Sequence, residues 1–333
     1  MTVSNAGTGS TSPARAVHGG ATPASRLTTL LPYLVPLVLA GLPWLLMATG
    51  QDYYIGFARR VLIVVLIACS LSLLVSSAGM VALGHAGFVG VGAYVMAAAV
   101  EAGVSSAWLL WMLGAVGAGL GALLIGSIAI RTRGVYFIMI TLAFSQMLYY
   151  LAVSLRKFGG DDGYNLSQLP VLGFGWRLDN DSTFYWVTLA IGAVFYAGLN
   201  LLLDARFGKA LLGARDNEMR MTALGYPVQR IRLIAFTIAG AVAGLGGALL
   251  LTHNQFVSPS NMSFSESSIL LVMVALGGAR PWGAALGAAT WMALEEVLRQ
   301  YTEYWHWPMG MALILIILIA PKGLSSLRLP HTP

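Results

Sequence analysis

The segment SLLVSSAGMVALGHAGFVGVGAYVMAAAV, residues 72–100, decides the fold class. It carries no acidic or basic side chain other than His85, and glycine recurs at positions 79, 84, 87, 90 and 92. Small residues let membrane helices approach each other closely, and they also permit a broken helix with exposed backbone groups. Either arrangement needs protein or water beside it, because lipid cannot satisfy free backbone groups. The segment therefore predicts a helix packed inside a membrane protein.

The composition of the whole chain supports this prediction. Of the 333 residues, 57% are hydrophobic and 10% are charged, whereas roughly a quarter of the residues in a soluble domain are charged. The single cysteine, Cys69, lies in an apolar run, so disulfides, thiol chemistry and metal-ligand spacings are not expected. The net charge of +6 comes from basic residues scattered singly between apolar runs, which indicates membrane topology rather than nucleic-acid binding. No cofactor or metal is expected.

The chain is organised as a series of apolar segments between polar ends. Residues 1–30 predict a disordered cytoplasmic tail, 31–324 a transmembrane domain, and 325–333 a second cytoplasmic tail. A membrane-spanning helix needs about 20 apolar residues, and two segments are shorter. We therefore expect an all-α integral membrane protein with about eight to ten transmembrane helices, some of them discontinuous. The segments are about 31–49, 59–78, 81–100, 106–129, 135–156, 183–203, 233–252, 268–279, 283–300 and 308–320.

Basic residues fix the expected orientation. With both termini in the cytoplasm, 13 of the 19 lysines and arginines fall on the cytoplasmic side, as the positive-inside rule requires. The same orientation places the loop 157–182 outside and the loop 204–232 inside. The sequence thus predicts a multi-pass membrane protein with both termini in the cytoplasm.

The loop 204–232 carries a predicted helix. Residues 209–224 contain good helix formers, and Gly225 with Pro227 forms a typical helix stop. The charges of this helix, on Arg215, Asp216, Glu218 and Arg220, stand beside Met219, Met221 and Leu224. Such a surface can dock against a partner, since methionines adapt to a groove and charges fix the register. A solvated loop whose charges only enforce topology is the alternative.

Polar residues inside the apolar segments are the candidates for a transport path. His85 is costly to bury, so it either lines the path or is satisfied by a backbone carbonyl at a helix break. Thr141, Ser145 and Gln146 recur at helical spacing, and they can bond a neighbouring helix or a zwitterionic solute. Glu296 and Arg299 can pair on one helical face, or Glu296 can contact substrate.

Several stretches, in order, resemble LivM-type permease subunits of the branched-chain amino acid ABC transporter family. They span about residues 60–324 and include a terminal segment that ends at Leu324. The chain departs from the family pattern at Glu295, where a proline is usual, and at Met221 and Thr222, where small residues are usual. The stretches are LGHAGF with Gly92, Ala93 and Tyr94; RTRGVYFIMITLAFSQMLYYL at 131–151; FGGDDG at 158–163; RFGKALLGARDNEMRMTALGYPVQRIR at 206–232; and VALGGARPWGAALGA at 274–288.

The resemblance implies roles for particular residues. It implies a coupling helix that docks on an ATPase subunit, formed by Arg215, Asp216, Asn217 and Glu218 and ended by Gly225. It also implies a translocation path or helix breaks at the remaining candidates, which are Gly84, His85, Gly87, Tyr94, Thr141, Gln146 and Glu296.

The partners that the resemblance implies are two ATP-binding cassette subunits, a homologous LivH-type permease, an extracytoplasmic substrate-binding protein and the lipid bilayer. The substrate class is branched-chain or related small amino acids, and urea and short-chain amide permeases resemble the same family. The sequence contains no GxxxxGK[ST] motif, so ATP hydrolysis is expected on another chain. A stand-alone ion-coupled transporter is the alternative from another class, but it would not require the charged helix at 209–224.

Overall fold

The computed structural model shows an α-helical membrane protein. It describes residues 52–166, 168–172, 181–278, 281–319 and 323–326. The predicted tail 1–30, the predicted span 31–49 and residues 327–333 lie outside these ranges, so those predictions stay untested.

Eleven helices are described within these ranges. They follow the predicted apolar segments closely; for example, the segment predicted at 183–203 is a helix from Asp181 to Asp204. The helices are α1 (Asp52–Ser72), α2 (His85–Glu101), α3 (Ala107–Ala129), α4 (Val135–Ser154), α5 (Asp181–Asp204), α6 (Arg206–Asp216), α7 (Glu218–Ala223), α8 (Val228–Asn254), α9 (Phe264–Gly277), α10 (Pro281–Tyr301) and α11 (His306–Ile319).

The long helices are apolar enough to cross a bilayer. Within the described ranges five helical stretches meet this condition, and the bent pair of α9 and α10 makes a sixth if it forms one broken span. Two shorter apolar helices, α2 and α11, accompany them. The protein is therefore multi-pass, and the two segments predicted to be too short, at 268–279 and 308–320, are helices of 14 residues each.

Helices α2, α3 and α8 form the most closely packed part of the interior. Their contact depends on glycines, since a Cβ atom on Gly92 would lie 2.1 Å from the carbonyl oxygen of Gly244. A Cβ atom on Gly244 would in turn lie 2.2 Å from the Cβ of Ala118. The backbones can approach this closely only because these side chains are absent.

The chain between α1 and α2 is a break in the helical structure. Helix α1 continues into a π-helical turn, Leu73–Ser77, and α2 starts only at His85 with Gly84 as its N-cap residue. Gly79 has a φ of +68°, a left-handed conformation that favours glycine. We call residues 78–84 the break segment. It confirms the broken helix that the glycine pattern allowed.

The two ends of the bundle differ in their loops. The loop 204–227 contacts Ser76 and Arg133, so the break segment and the α3–α4 loop lie at the same end, which we call the basic face. At the opposite face, Arg59 pairs with Asp181 at 2.9 Å.

A small structured region covers the opposite face. Two short 3-10 turns, Arg156–Phe158 and Gly160–Asp162, lead into strand β1 (Tyr164–Asn165), which pairs antiparallel with β2 (Phe256–Val257). Gly159 has a φ of +79°. The glycine-rich stretch 158–163 thus forms a compact turn.

The predicted single helix at 209–224 is wrong in one respect. The structure has two helices there, α6 and α7, separated at Asn217. The side chain of Asn217 accepts a hydrogen bond from the Arg220 backbone N–H at 2.9 Å and so caps α7. The predicted stop is confirmed, because Gly225 follows the C-cap residue Leu224 with a φ of +84°.

Candidate functional site

His85 is fully buried at the start of α2. Its Nε2 atom lies 2.8 Å from Ser70 Oγ, and the Ser70 hydroxyl donates its hydrogen to the Ile67 carbonyl at 2.7 Å. The serine must therefore accept from an N–H at Nε2, which leaves the lone pair on Nδ1. That Nδ1 atom is buried and has no hydrogen-bond partner. The partner of His85 is thus a hydroxyl on α1, not the backbone carbonyl considered above.

Thr141 on α4 holds the end of the break segment. Its hydroxyl accepts the Leu83 backbone N–H at 3.3 Å and donates to the Ile138 carbonyl at 2.9 Å. Gly84 leaves no room for a side chain here, since its Cβ atom would lie 2.3 Å from the Thr141 carbonyl oxygen. The structure therefore brings Gly84, His85 and Thr141 together.

Two further serines complete this region. Ser145 donates to the Met262 carbonyl at 3.1 Å, and the Ser267 hydroxyl accepts the Ala86 backbone N–H at 3.2 Å. A Cβ atom on Gly87 would lie 3.3 Å from Ser145 Oγ, so Gly87 also belongs to this contact. The hydroxyls of Thr141 and Ser145 thus bond neighbouring chain segments, which is one of the two roles considered for them. We call this group, which consists of Ser70, Gly84, His85, Gly87, Thr141, Ser145 and Ser267, the His85 cluster.

The cavity beside the His85 cluster is small. Its volume is about 10 Å³, and it is lined in part by Gly84, Thr141, Ser145, Phe88 and Phe236. That volume is about enough for one water molecule. In the described part of the chain, the space beside the cluster is therefore too small to hold an amino acid.

Three predicted site residues lie elsewhere. Tyr94 is further along α2, where its ring packs edge-on against Phe158 with centroids 6.4 Å apart. Gln146 is half-buried beside Ser145. Glu296 is on α10, where pairing with Arg299 was one of the two roles considered for it. Arg299 instead pairs with Glu295 at 2.7 Å, because a spacing of four residues suits one helical face.

Glu218 is the centre of a second group, on the basic face. Its Oε1 atom lies 2.8 Å from an Arg133 guanidinium nitrogen, and its Oε2 atom lies 2.9 Å from Arg232. The side chains of Glu218 and Arg232 are only 19% and 15% exposed. Arg232 also donates to the Ala214 carbonyl at 3.4 Å. The carboxylate of Glu218 therefore points into the protein and ties α7 to the α3–α4 loop and to α8.

Arg215 makes a second connection between this loop and the membrane bundle. Its guanidinium donates to the Ser76 carbonyl, and it also pairs with Asp216 at 3.0 Å. The aliphatic part of Arg215 fills the space at Gly79, where a Cβ atom would lie 2.7 Å from Arg215 Cγ. The predicted coupling residues thus include two, Arg215 and Glu218, that bind the bundle.

The outer side of α7 is apolar and exposed. Met219 is 84% exposed, Leu224 66% and Tyr226 48%. Single exposed apolar residues are ordinary, but these three are close in sequence beside a short capped helix. Each of these three side chains is exposed in the described chain, together with the neighbouring Arg220 and Thr222.

Some residues of both groups were missed by the sequence analysis. Ser70 and Ser267 are small polar residues in apolar helices, and nothing in their spacing links them to His85. Arg133 and Arg232 were assigned only to the cytoplasmic side. Their convergence on Glu218 comes from the tertiary fold, because Arg133 is distant in the chain.

These features define a class of protein: a multi-pass α-helical membrane protein with a broken helix inside and an exposed short helix at one face. A profile of the family described as "Branched-chain amino acid transport system / permease component" matches residues 53–320. The chain belongs to this family, and it is a transport component rather than an enzyme.

Individual relatives agree with the family. The chain is 28% identical over 327 residues to the high-affinity branched-chain amino acid transport system permease protein LivM of Escherichia coli, covering 90% of this chain and 76% of the relative. It is 25% identical over 206 residues to a probable LivM of Methanocaldococcus jannaschii, covering 55% and 57% of the two chains. A probable LivH of the same organism is 29% identical over 154 residues, covering 43% and 47%. No protein of known structure matches the chain.

Proposed function

We propose that the chain forms part of the translocation path of an ABC importer for branched-chain or related small amino acids. The observation that carries the proposal is the family match over residues 53–320. Relatives of both the LivM and the LivH kind are similar to the chain, which supports a homologous permease as its partner. The path would then form between two related subunits.

The basic face is the side on which ATPase subunits would bind. The positive-inside rule assigns this face to the cytoplasm of a bacterial inner membrane, with both termini on the same side. The exposed surface of Met219, Leu224 and Tyr226 has the apolar character of a contact that a partner covers. Two ATP-binding cassette subunits, one for each permease, would supply ATP hydrolysis.

The role of Glu218 in this proposal is to position α7. Its carboxylate is occupied by Arg133 and Arg232, so the neighbouring exposed residues make the contact with the ATPase. Asn217 and Gly225 define the two ends of α7. The coupling residues therefore divide into those that hold the helix and those that face the partner.

The opposite face is where a substrate-binding protein would deliver the amino acid. The turn at 156–163 and the paired strands β1 and β2 give this face a fixed shape. The His85 cluster lies between the two faces and would have to open for the solute to pass, since its cavity holds about one water molecule.

One reconstitution tests the proposed function. The tagged chain is purified from its native membranes together with the proteins that accompany it, and the complex is placed in proteoliposomes with purified binding protein. We expect uptake of labelled leucine only when ATP is supplied on the side of the membrane that carries the ATPase subunits. Unlabelled valine should compete with leucine for uptake, whereas urea and acetamide should not. Uptake driven by an ion gradient without any associated ATPase would replace the proposal with a secondary transporter.

A further inference from the structure

The break segment is attached at its beginning to the loop on the basic face. Arg215, at the end of α6, donates to the carbonyl of Ser76 and packs its aliphatic part over Gly79. Because Gly79 has no side chain, the arginine lies directly on the backbone of the segment. Any displacement of α6 along the bundle axis therefore acts on this backbone through a charged hydrogen bond and a steric contact.

The same segment is attached at its end to the His85 cluster. The Leu83 N–H bonds Thr141, and Gly84 touches the Thr141 carbonyl so closely that no side chain fits between them. His85 and Ala86 follow at once and bond Ser70 and Ser267. Leu83 thus follows Ser76 by only seven positions and Gly79 by only four, so the contacts with the loop and those inside the bundle are close in the chain.

Space for movement exists beside the break segment. A cavity of about 180 Å³ is lined by Gly79, Met80 and Val81, and its other walls include Arg133 and Arg232. A closely packed interior transmits strain but resists displacement. The side of the break segment that borders this cavity therefore has room to shift, although Ala78, Met80 and Ala82 are part of the buried core.

Glu218 fixes α7, the second helix of the loop, beside the break segment. Through Arg133 and Arg232 it fixes α7 to the wall of the same cavity. Helices α6 and α7 meet at Asn217, so a force on the exposed side of α7 is passed to Arg215 two residues before that junction.

We propose that Arg215 is the positioning residue through which displacement of the α6–α7 loop moves the break segment and so opens or closes the His85 cluster. This inference rests on the proposed function, because it names the route by which an ATPase on the basic face would act on the path. The route is Arg215, then Ser76 and Gly79, then Leu83 and Gly84, and finally Thr141. Coupling depends on the guanidinium contact and not on docking itself.

The test separates coupling from docking. The reconstituted complex is made with Arg215→Ala, with Arg215→Lys, and with Lys209→Ala as a matched control on the exposed side of the same helix. Leucine uptake and ATP hydrolysis are measured on the same vesicles. We expect Arg215→Ala to lower the number of leucine molecules transported per ATP hydrolysed about tenfold. Arg215→Lys should give a ratio between those of Arg215→Ala and the wild type, and Lys209→Ala should give the wild-type ratio. An unchanged ratio in Arg215→Ala would overturn the inference.

A labelling experiment keeps the inference testable if the variant is poorly active. Cys69 is the only cysteine and is buried, so Cys69→Ser with Val81→Cys gives a single reporter at the cavity wall. We expect its reaction with a maleimide to change on trapping with ATP and vanadate, and the change to disappear with Arg215→Ala. A change that persists with Arg215→Ala would contradict the role of Arg215. Absence of any ATPase from the wild-type complex would instead contradict the proposed function.

Discussion

Glu218 and Arg232 are 14 residues apart in the chain, and their side chains meet at 2.9 Å on the basic face of the bundle. The carboxylate thereby joins a short surface helix to the longest helix of the described chain, α8, which has 27 residues. Glu218, one of the residues assigned to the coupling helix by resemblance, is consequently a support for α7 and faces away from the surface on which a partner would bind.

The first prediction concerns this ion pair. Glu218→Gln removes the charge that two guanidinium groups share, and we expect the free energy of unfolding to fall by about 1–3 kcal/mol, as for a lost hydrogen bond to a charged group. Denaturation of the purified chain in mixed detergent micelles measures the change. Asp216→Asn is the control; its pair with Arg215 is largely exposed, so little change is expected. Equal losses in both variants would contradict a special role for Glu218.

The second prediction concerns the contact of the break segment with α4. Gly84→Ala places a Cβ atom 2.3 Å from the Thr141 carbonyl oxygen. We expect it to destabilise the protein by about 1–3 kcal/mol, the usual cost of overpacking, and to reduce transport. Gly121→Ala on α3 is the matched control, since its Cβ atom would meet nothing within 4 Å. If Gly84→Ala were as stable as Gly121→Ala, the close approach of the two backbones would be refuted.

The third prediction distinguishes the two roles considered for His85. Ser70→Ala leaves the buried His85 N–H without an acceptor, so we expect a loss of about 1–3 kcal/mol. In a double-mutant cycle with His85→Ala, the two substitutions should be non-additive by about 0.5–3 kcal/mol. Denaturation of the four proteins measures both values.

Leucine uptake by a further variant, His85→Gln, completes this test. His85→Gln replaces the donor with an amide, and retained leucine uptake in that variant would assign His85 a structural role. Loss of uptake with normal stability would assign it to the path. Simple additivity in the cycle would show that the bond between His85 and Ser70 contributes little.

The fourth prediction concerns the exposed side of α7. Met219 is 84% exposed, and Met219→Glu adds a charge to a surface that we expect an ATPase to cover. The amount of ATPase that copurifies should fall at least about tenfold, a typical effect at a central interface residue. Met219→Leu should bind normally. Met311→Ala tests another exposed methionine, which is 70% exposed on α11, and it should also bind normally. Normal binding by Met219→Glu would exclude this surface as the docking site.

The sequence predicted the helices well where a long apolar run determines them. The segment predicted at 106–129 is the helix Ala107–Ala129, because a bilayer-spanning run has few alternatives. The break before His85 is one of the two arrangements that closely spaced glycines permit, and the sequence alone did not choose between them. Residues that are compatible with two local conformations were harder to predict. Asn217 can continue a helix or cap a new one, and here it caps α7.

Pairings between distant residues could not be predicted from spacing. Glu218 was expected to face a partner, but Arg133 and Arg232 converge on it only after α3, α4 and α8 have packed. The pair on α10 was assigned to Glu296 although Glu295 has the better spacing to Arg299. The family resemblance marked the right loop without showing which of its side chains point inward.

The glycine contacts among α2, α3 and α8 have a mechanical consequence. Where Gly92 meets Gly244 backbone to backbone, no flexible side chain lies between the helices to absorb a shift. These three helices must therefore keep their mutual arrangement throughout a transport cycle and act as a stationary frame. Conformational changes then occur in the segments that are attached to these three helices. The backbone amide hydrogens of the three helices should exchange with solvent more slowly than those of the rest of the protein.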